Sequence, residues 1–402
     1  MLKNYKNIAF IVLAILILIA RKPDCLSNPQ LWAEDGPVFF AQQYELGAGA
    51  IFIDYANYLH IVPRLIALLA DTFFSYANIP AVYNYTSLFI TIIVIAHCFS
   101  PRLQLPLKPL LALSIVLVPQ SLNEVFLNIT NLQWILCILL LLSLLKDAPN
   151  KKYGNYTLQV ISDITIITFA GLTGPFLILM FPFFAWKFYN IKTTYGYTLL
   201  FITSCGVLIQ LFSMAPIIEN VGESNIFNLE LYISMMGRKL FGGLFFGSSM
   251  MYSNSLFIGI STVAFFSTLL YLSYKKSPED KRVFKTVFVI LTISAAILGA
   301  VIMKYRFSPE IMAMPSGCRY YYVPYVMVAW SLILSLSQRE LWKNIFMISS
   351  LLLILYSSVS SGIQTRFIDH NWKYYSTLIG TKPVVTIPIN PNWYMTLHTK
   401  KK

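Results

Sequence analysis

Charged side chains are scarce in this chain, and acidic ones are the scarcest. Asp, Glu, Lys and Arg make up 12% of its 402 residues, and only 17 of these are acidic. Soluble domains carry roughly 25% charged residues. The hydrophobic fraction is 57%, and no polar stretch is long enough to build a soluble core of its own. These shortages exclude an ordinary soluble domain and predict a polytopic membrane protein.

The chain also lacks the short motifs of several enzyme classes. It has no glycine-rich phosphate loop, no His-Glu-x-x-His pattern and no Ser/His/Asp order. Its five cysteines include no pair at zinc-site spacing, so neither a disulfide framework nor a metal site is expected. No room remains for the soluble α/β domain that binds nucleotide sugars, and no cofactor is predicted. Basic residues that flank membrane spans explain the net charge of +13, so no nucleic acid partner is expected.

The sequence is rich in apolar runs, and many of them approach the length of ~20 residues that a helix needs to cross a bilayer. The first run, Ile8–Ala20, follows Lys3 and Lys6, and no signal-peptide cleavage site comes after it. We therefore predict an uncleaved first span with the N-terminus in the cytoplasm. Aromatic residues make up 15% of the chain, which suits contacts with the membrane interface.

The remaining runs predict an all-α bundle over residues 1–360. We expect about eleven spans, together with one or two re-entrant or interfacial helices around 61–79 and 241–251. Residues 21–60 form the first external loop of this arrangement, and residues 361–402 form an external tail. Most of the unusual polar residues fall on the external face, which is where we expect the chemistry.

Two adjacent carboxylates, Glu34 and Asp35, lie just beyond the first span. Neighbouring residues point in different directions on any regular element, so one of them could act on a substrate while the other binds backbone. An apolar wall raises the pKa of a carboxyl group and lets it act as a base toward a hydroxyl. The structural alternative is that Asp35 caps a helix that opens at Gly36 and Pro37.

A second group of polar residues follows at the start of the predicted half-depth helix. Arg64 lies one turn beyond His60 and could offer its guanidinium fork to a phosphate, with Tyr58 and His60 beside it. The alternative for Arg64 is a side chain that snorkels from an interfacial helix.

A late external loop carries three cations. Lys304 and Arg306 begin it, and Arg319 and Tyr320 end it at the start of a span. Such cations suit the phosphate of a lipid-linked leaving group, and Arg319 is the strongest of them. They equally suit contact with lipid headgroups.

The tail supplies a last set of candidate substrate-binding residues. Trp372 and Trp393 could stack on sugar rings, and Asn390 lies in the run Val385–Trp393. The alternative for most of the tail is a lid or strand-like segment that packs on the external loops.

These motifs occur in an order that resembles a known group of enzymes. The order is Trp-Ala-Glu-Asp-Gly-x-Val-Phe after the first span, Tyr-Leu-His-x-x-Pro-Arg, a late Arg-Tyr-Tyr before a span, and Ile-Pro-Ile-Asn-Pro-x-Trp in the tail. The chain resembles bacterial multi-span glycosyltransferases of the GT-C type. Within that group it is similar to the O-antigen-modifying glucosyltransferases carried by serotype-converting phages. Its external loops are shorter than those of many relatives.

The resemblance implies a fold, a reaction and a location. The donor would be a polyprenyl-phosphate sugar, usually glucose, and the acceptor a lipopolysaccharide O-antigen on the periplasmic face of the bacterial inner membrane. The catalytic base would be Glu34 or Asp35, with Asp35 favoured as the later of the pair. Phosphate binding would fall to Arg319, and also to Arg64 and Lys304. The acceptor hydroxyl would attack the anomeric carbon directly as polyprenyl phosphate leaves.

Two other classes of protein remain open at this point. A flippase or transporter for lipid-linked saccharides would place ionisable residues at mid-bilayer depth, whereas Asp163 is the only acid near the interior of a predicted span. An O-antigen polymerase would use external arginines without needing the early carboxylate pair. Membrane lipids are expected partners in every case.

Overall fold

The structure is a computed structural model that describes most of the chain. The described residues are 2–119, 124–219, 237–247, 256–274, 281–305, 317–336, 341–360 and 366–399. Most of them are helical, in agreement with the coarse prediction of an all-α fold. The helices in chain order are α1 (Leu2–Arg21), α2 (Asp24–Ser27), α3 (Ala41–Leu46), α4 (Ile61–Phe73), α5 (Ile79–His97), α6 (Lys108–Leu117), α7 (Leu132–Leu145), α8 (Tyr156–Gly171), α9 (Phe176–Asn190), α10 (Thr194–Glu219), α11 (Gly243–Phe246), α12 (Leu256–Tyr274), α13 (Lys281–Lys304), α14 (Arg319–Ser335), α15 (Leu341–Ser360) and α16 (Trp372–Leu378).

Short helical turns connect several of these elements. Two of them begin the segment that the sequence predicts to be external, here called the first external segment: the 3₁₀ turn Ala33–Asp35 and the π turn Gly36–Phe40, which lead directly into α3. Pro37 is at the start of the π turn, where the missing N–H of a proline costs no hydrogen bond. Further turns lie at Gly47–Phe52, Tyr76–Asn78, Lys151–Tyr153 and Gly237–Gly242.

Helices α7 and α14 lie at the centre of the bundle. Every residue of α14 beyond Arg319 is buried, and α7 is buried from Leu132 to Leu144. Helix α14 packs against α6, α7, α12, α13 and α15. An element that is apolar on all sides needs neighbours on all sides, which explains why these two helices lack a polar face.

Four helices among the described residues are long and apolar enough to cross a membrane. They are Tyr76–His97, Thr194–Met214, Lys281–Lys304 and Leu341–Ser360. The outer helices present large apolar side chains to their surroundings; Phe201 is 69% exposed and Phe212 76%. Apolar surface on this scale is typical of a protein surrounded by lipid. The membrane character predicted from composition is confirmed at this coarse level.

Other predicted spans are represented by shorter helices. Helix α6 has 10 residues and α7 has 14, so each is shorter than the ~20 residues that cross a bilayer alone. Helix α4 has 13 residues and a length of about 20 Å, which suits the predicted half-depth helix. The break between α8 and α9 contains Gly174, which adopts a positive φ of 86° that other residues rarely reach.

The tail forms a short helix and a β-hairpin. Strands β1 (Val384–Ile389) and β2 (Trp393–His398) pair antiparallel, with Val384 opposite His398 and Ile389 opposite Trp393. Part of the tail is therefore a pair of strands, as the alternative interpretation of its sequence predicted. The inner face of the hairpin is apolar: Ile387, Ile389 and Met395 are almost fully buried.

Candidate functional site

Asp35 ties the first external segment to the start of α7. Its carboxylate accepts hydrogen bonds from the backbone N of Thr130 at 2.9 Å, from Thr130 Oγ1 at 2.5 Å and from the backbone N of Trp32 at 3.4 Å. Asp35 has no exposed surface. Burial raises its pKa to about 7, against the opposite effect of the hydrogen bonds from Thr130 and Trp32. Its carboxylate is thus occupied by contacts within the protein.

Glu34 points away from Asp35 and faces a different set of partners. Its Oε1 accepts a hydrogen bond of 2.9 Å from the hydroxyl of Tyr55, and 7% of the residue is exposed. Burial, and then the negative charge of Glu34, raise the pKa of Tyr55 above its usual range. The sequence favoured Asp35 over Glu34 as the base. The geometry favours the reverse order, because Glu34 retains exposed surface and only one short contact.

Arg319 is held at the start of α14 by a second carboxylate. Its backbone N donates to Glu124 Oε2 at 2.8 Å, and its Nη1 donates to Glu124 Oε1 at 3.1 Å. The Arg319 side chain is 28% exposed. Its Nη2 makes one long contact of 3.4 Å with the hydroxyl of Tyr320. A guanidinium has five N–H donors, and within the described part of the chain most of those of Arg319 have no hydrogen-bond partner.

Glu34 and Arg319 belong to one electrostatic cluster. The negative charge of Glu34 acts on Arg319, and the positive charge of Arg319 acts on Tyr55, the hydrogen-bond donor to Glu34. Burial raises the pKa of Glu124 to about 7; Arg319 opposes this shift, and the nearby charge of Glu34 adds to it. Arg319 is thus bonded directly to Glu124, while the charge of Glu34 acts on it without a direct contact.

Aromatic rings and further cations complete this cluster. Lys304 is exposed, with its Nζ 5.5 Å from the ring centre of Tyr58. The hydroxyls of Tyr305 and Tyr320 are hydrogen-bonded to each other, and the Tyr320 ring packs edge-on against Trp134 at 5.5 Å. We call the set Glu34, Tyr55, Tyr58, Glu124, Lys304, Arg319 and Tyr320 the Glu34/Arg319 cluster. It combines carboxylates, cations and aromatic surfaces, the groups that a phosphate-linked sugar requires.

His60 and Arg64 lie beside the cluster with little or no exposed surface. The His60 ring packs against Tyr58 at 4.9 Å and against Phe39 at 5.8 Å. Burial, and then the charge of Arg64, lower the pKa of His60 to about 3, so its imidazole is neutral. Arg64 donates to the carbonyl of Val38 at 2.9 Å and to Gln42 Oε1 at 2.7 Å. In this structure Arg64 braces the first external segment and is closed to a phosphate.

The tail residues predicted to bind substrate have mostly internal partners. Asn390 is 3% exposed, and both polar atoms of its side chain bond the backbone of Ile368 at 2.9 Å. Trp372 is 5% exposed and donates its indole N–H to the carbonyl of Tyr76 at 2.9 Å. Trp393 is 42% exposed in β2, where its ring is open to a ligand. Arg306 lies outside the described residues.

The hairpin supports the acidic pair from behind. The backbone N of Ala33 donates to the carbonyl of Asn390 at 2.6 Å, and the backbone N of Asn390 donates to the carbonyl of Leu31 at 3.3 Å. A Cβ at Gly36 would lie 2.6 Å from Cδ1 of Ile389, so the hairpin approaches the turn as closely as glycine allows. The tail and the first external loop are therefore packed as one unit around Glu34.

Sequence reasoning missed several residues of this arrangement. Glu124 had a signal, because acidic residues are rare and this one lies in a predicted external loop, but nothing linked it to Arg319. Tyr55 is one of 25 tyrosines and Thr130 has no special neighbours, so their contacts with the acidic pair depend on the fold. Among the residues that the structure describes, no group of three His, Cys, Asp or Glu side chains could hold a metal ion.

The chain matches no protein-family model, no curated protein and no solved structure. Its function is accordingly argued from the chemistry of the site.

Proposed function

We propose that the protein is a membrane-embedded glycosyltransferase. It transfers a sugar, glucose in the first instance, from a polyprenyl-phosphate donor to a lipopolysaccharide O-antigen or another surface glycan. The observation that carries the proposal is one cluster of two hydrogen-bonded pairs, Glu34 with Tyr55 and Arg319 with Glu124, whose charges act on one another. A base and a phosphate-binding cation in one cluster are what a displacement at a sugar phosphate needs.

Glu34 is the proposed general base. Its carboxylate takes the proton of the acceptor hydroxyl as the hydroxyl oxygen forms a bond to the anomeric carbon. The bond between that carbon and the phosphate oxygen breaks in the same step, and polyprenyl phosphate leaves with the electron pair. Positioned proton transfer of this kind contributes about 10²–10⁴ in rate. Tyr55 holds one oxygen of Glu34 and leaves the other for the acceptor.

Arg319 is the proposed partner of the leaving phosphate. Its guanidinium stays charged at every relevant pH, and most of its donors are not bonded to Glu124. Glu124 acts as a positioning residue, because it holds both the backbone and the side chain of Arg319. Lys304, exposed at the end of α13, adds a second cation for the same phosphate.

Asp35 serves the site indirectly in this proposal. It fixes the turn that carries Glu34 against Thr130, and its burial keeps it from the acceptor. The full proposal places about eleven spans in the bacterial inner membrane, with the N-terminus in the cytoplasm and the Glu34/Arg319 cluster on the periplasmic face. Membrane lipids surround the bundle.

The proposal is tested by transfer with purified components. The full chain in lipid nanodiscs is incubated with polyprenyl-phosphate glucose and purified lipopolysaccharide, and the product is followed by its gain in mass. Glu34→Gln should lower transfer by about 10²–10⁴ without loss of folded protein. Glu45→Gln is the matched control, since Glu45 is an exposed glutamate of the same loop, and it should transfer as the wild type does.

Two results would overturn the assignment. Wild-type protein that transfers no sugar from any polyprenyl-phosphate donor would refute the enzyme proposal. Unchanged transfer by Glu34→Gln would refute the role of the base. Movement of the intact lipid-linked sugar across the bilayer by the same preparation, without a new glycosidic bond, would favour the flippase alternative.

A further inference from the structure

An open cavity of about 410 Å³ lies at the end of the bundle opposite the Glu34/Arg319 cluster. The cluster adjoins the start of α7, whereas the cavity adjoins its end, and the 14 residues of α7 separate them by about 20 Å. The residues that line the cavity come from the ends of α5 and α7 and from the start of α8 and its preceding loop. The lining includes His97, Lys146, Leu158 and Ser162.

Lys146 is the notable member of this lining. The residue is 4% exposed, yet its side chain lines the cavity. It takes part in none of the ion pairs of the described residues, and no hydrogen bond of its ammonium group is found there. Burial lowers its pKa to about 8, which leaves it mostly charged at neutral pH. The ammonium group thus faces the cavity without a bonded partner among the described residues, and a negatively charged ligand in the cavity would pair with it.

Three neighbouring cations, Arg102, Arg282 and Lys187, have partners within the protein. Arg102 binds Asp163 through two hydrogen bonds of 2.9 and 2.6 Å, and Arg282 pairs with Asp147 at 2.9 Å. Lys187 donates to three backbone carbonyls at the end of α7, at 2.9, 2.9 and 2.7 Å, those of Ser143, Leu144 and Lys146. The charge of Asp163 acts on Lys146 as well, but both oxygens of Asp163 are already bonded by Arg102 and Tyr195.

The rest of the lining suits a phosphate with a polar group attached. His97 donates from Nδ1 to the carbonyl of Ile93 at 2.8 Å, which leaves Nε2 of the neutral imidazole as an acceptor for a hydroxyl of the attached polar group. The half-buried hydroxyl of Ser162 has no hydrogen bond among the described residues. Leu158 is 64% exposed and Ile161, on the same helix, is 53% exposed. A polar floor with an apolar rim at a helix end is the setting in which proteins bind phospholipid headgroups.

We propose that this cavity binds a phosphate ester, with the ammonium group of Lys146 as its ion-pair partner. The ligand class is a phosphate monoester or diester with a net negative charge and a small uncharged polar group, such as the headgroup of phosphatidylglycerol; zwitterionic phosphatidylcholine lies outside it. The volume exceeds that of a bare phosphate and leaves room for the attached glycerol. The site is separate from the proposed sugar transfer, so it stands whether or not that activity is found.

The test compares two sources of the same chemistry. The full chain is reconstituted in nanodiscs of phosphatidylcholine alone or of phosphatidylcholine mixed with phosphatidylglycerol, and lipid retained by the protein is counted by native mass spectrometry. In parallel, sn-glycerol 3-phosphate is titrated against the protein in phosphatidylcholine nanodiscs. Lys146→Met should weaken binding roughly ten- to hundred-fold, the effect of losing one charge-assisted hydrogen-bond partner. The matched control is Lys151→Met, because Lys151 is an exposed lysine of the same loop.

The outcomes distinguish a lipid ligand from a soluble one, and one of them would refute the proposal. Lys146-dependent retention of phosphatidylglycerol alone identifies a lipid site, and Lys146-dependent binding of glycerol phosphate as well identifies a site for soluble esters. Both support the proposal. Equal binding by wild type and Lys146→Met in both arms would overturn it.

A second variant keeps the proposal testable if Lys146→Met fails to fold. Ser162→Asp places a carboxylate on the cavity wall and leaves Lys146 in position. Binding of the phosphate ester should then fall by at least as much as in Lys146→Met, because the added charge repels the ligand and pairs with the lysine. Undiminished binding by folded Ser162→Asp would refute a phosphate site.

Discussion

The adjacent carboxylates Glu34 and Asp35 should fail in different ways when they are changed. Asp35→Ala removes the acceptor of three hydrogen bonds, two of them from the backbone N–H groups of Thr130 and Trp32. Each buried N–H left without a partner costs about 1–3 kcal/mol, so the variant should lose about 2–6 kcal/mol of unfolding free energy. Asp35→Asn keeps an oxygen for Thr130 and loses only the long bond from Trp32, so its loss should be about 1 kcal/mol.

Glu34→Gln should leave the stability almost unchanged. The amide oxygen of glutamine can still accept the bond from Tyr55, and partly exposed substitutions of this kind fall within about 0.5 kcal/mol. Its effect should appear in transfer, as a loss of about 10²–10⁴ per folded molecule. The assay is thermal unfolding of the detergent-solubilised protein, paired with the rate of transfer normalised to folded protein.

Wild type and Glu34→Gln should share the highest melting temperature. Asp35→Asn should melt at a lower temperature, and Asp35→Ala at the lowest. An Asp35→Ala variant as stable as the wild type would refute the structural role of Asp35. The division of roles would also be wrong if Asp35→Asn, once folded, lost transfer as completely as Glu34→Gln is expected to.

Three further predictions follow from the same contacts. Between about pH 4 and pH 7 the folded protein retains a proton on Asp35 that the unfolded chain releases, so the unfolding free energy should fall as pH rises through this window. The fall should be smaller in Asp35→Asn, and an equal dependence on pH in the two proteins would contradict this. Gly36→Ala should lower the melting temperature through its clash with Ile389, and adding Ile389→Ala should relieve that clash in a double-mutant cycle. Trp372→Phe removes the hydrogen bond to the carbonyl of Tyr76, so the unfolding free energy should fall by about 1 kcal/mol in thermal unfolding, while transfer stays intact.

The sequence predicted the class of the fold better than it predicted how the helices pack against one another. Hydropathy located the apolar runs, and the lengths of α6 and α7 follow those runs, because local composition determines both. The central position of α14 was hidden, because burial on every side depends on the neighbours of a helix.

The site was predictable in its residue types and only partly in its geometry. The scarcity of acids pointed to Glu34 and Asp35, and the start of a helix pointed to Arg319. Nothing local could decide which carboxylate faces outward, because that follows from the contact of Asp35 with Thr130, 95 residues later in the chain. Glu124 was overlooked for the same reason: its contact with Arg319 joins residues 195 apart.

The proposed mechanism requires above all that Arg319 binds a lipid-linked phosphate beside Glu34. Equilibrium binding of polyprenyl phosphate, without its sugar, to the purified full chain tests this claim most directly. Arg319→Gln should weaken binding by about ten-fold or more, the effect of a lost charge-assisted contact, whereas Glu34→Gln should bind as well as the wild type or better. Equal binding by wild type and Arg319→Gln would contradict the account.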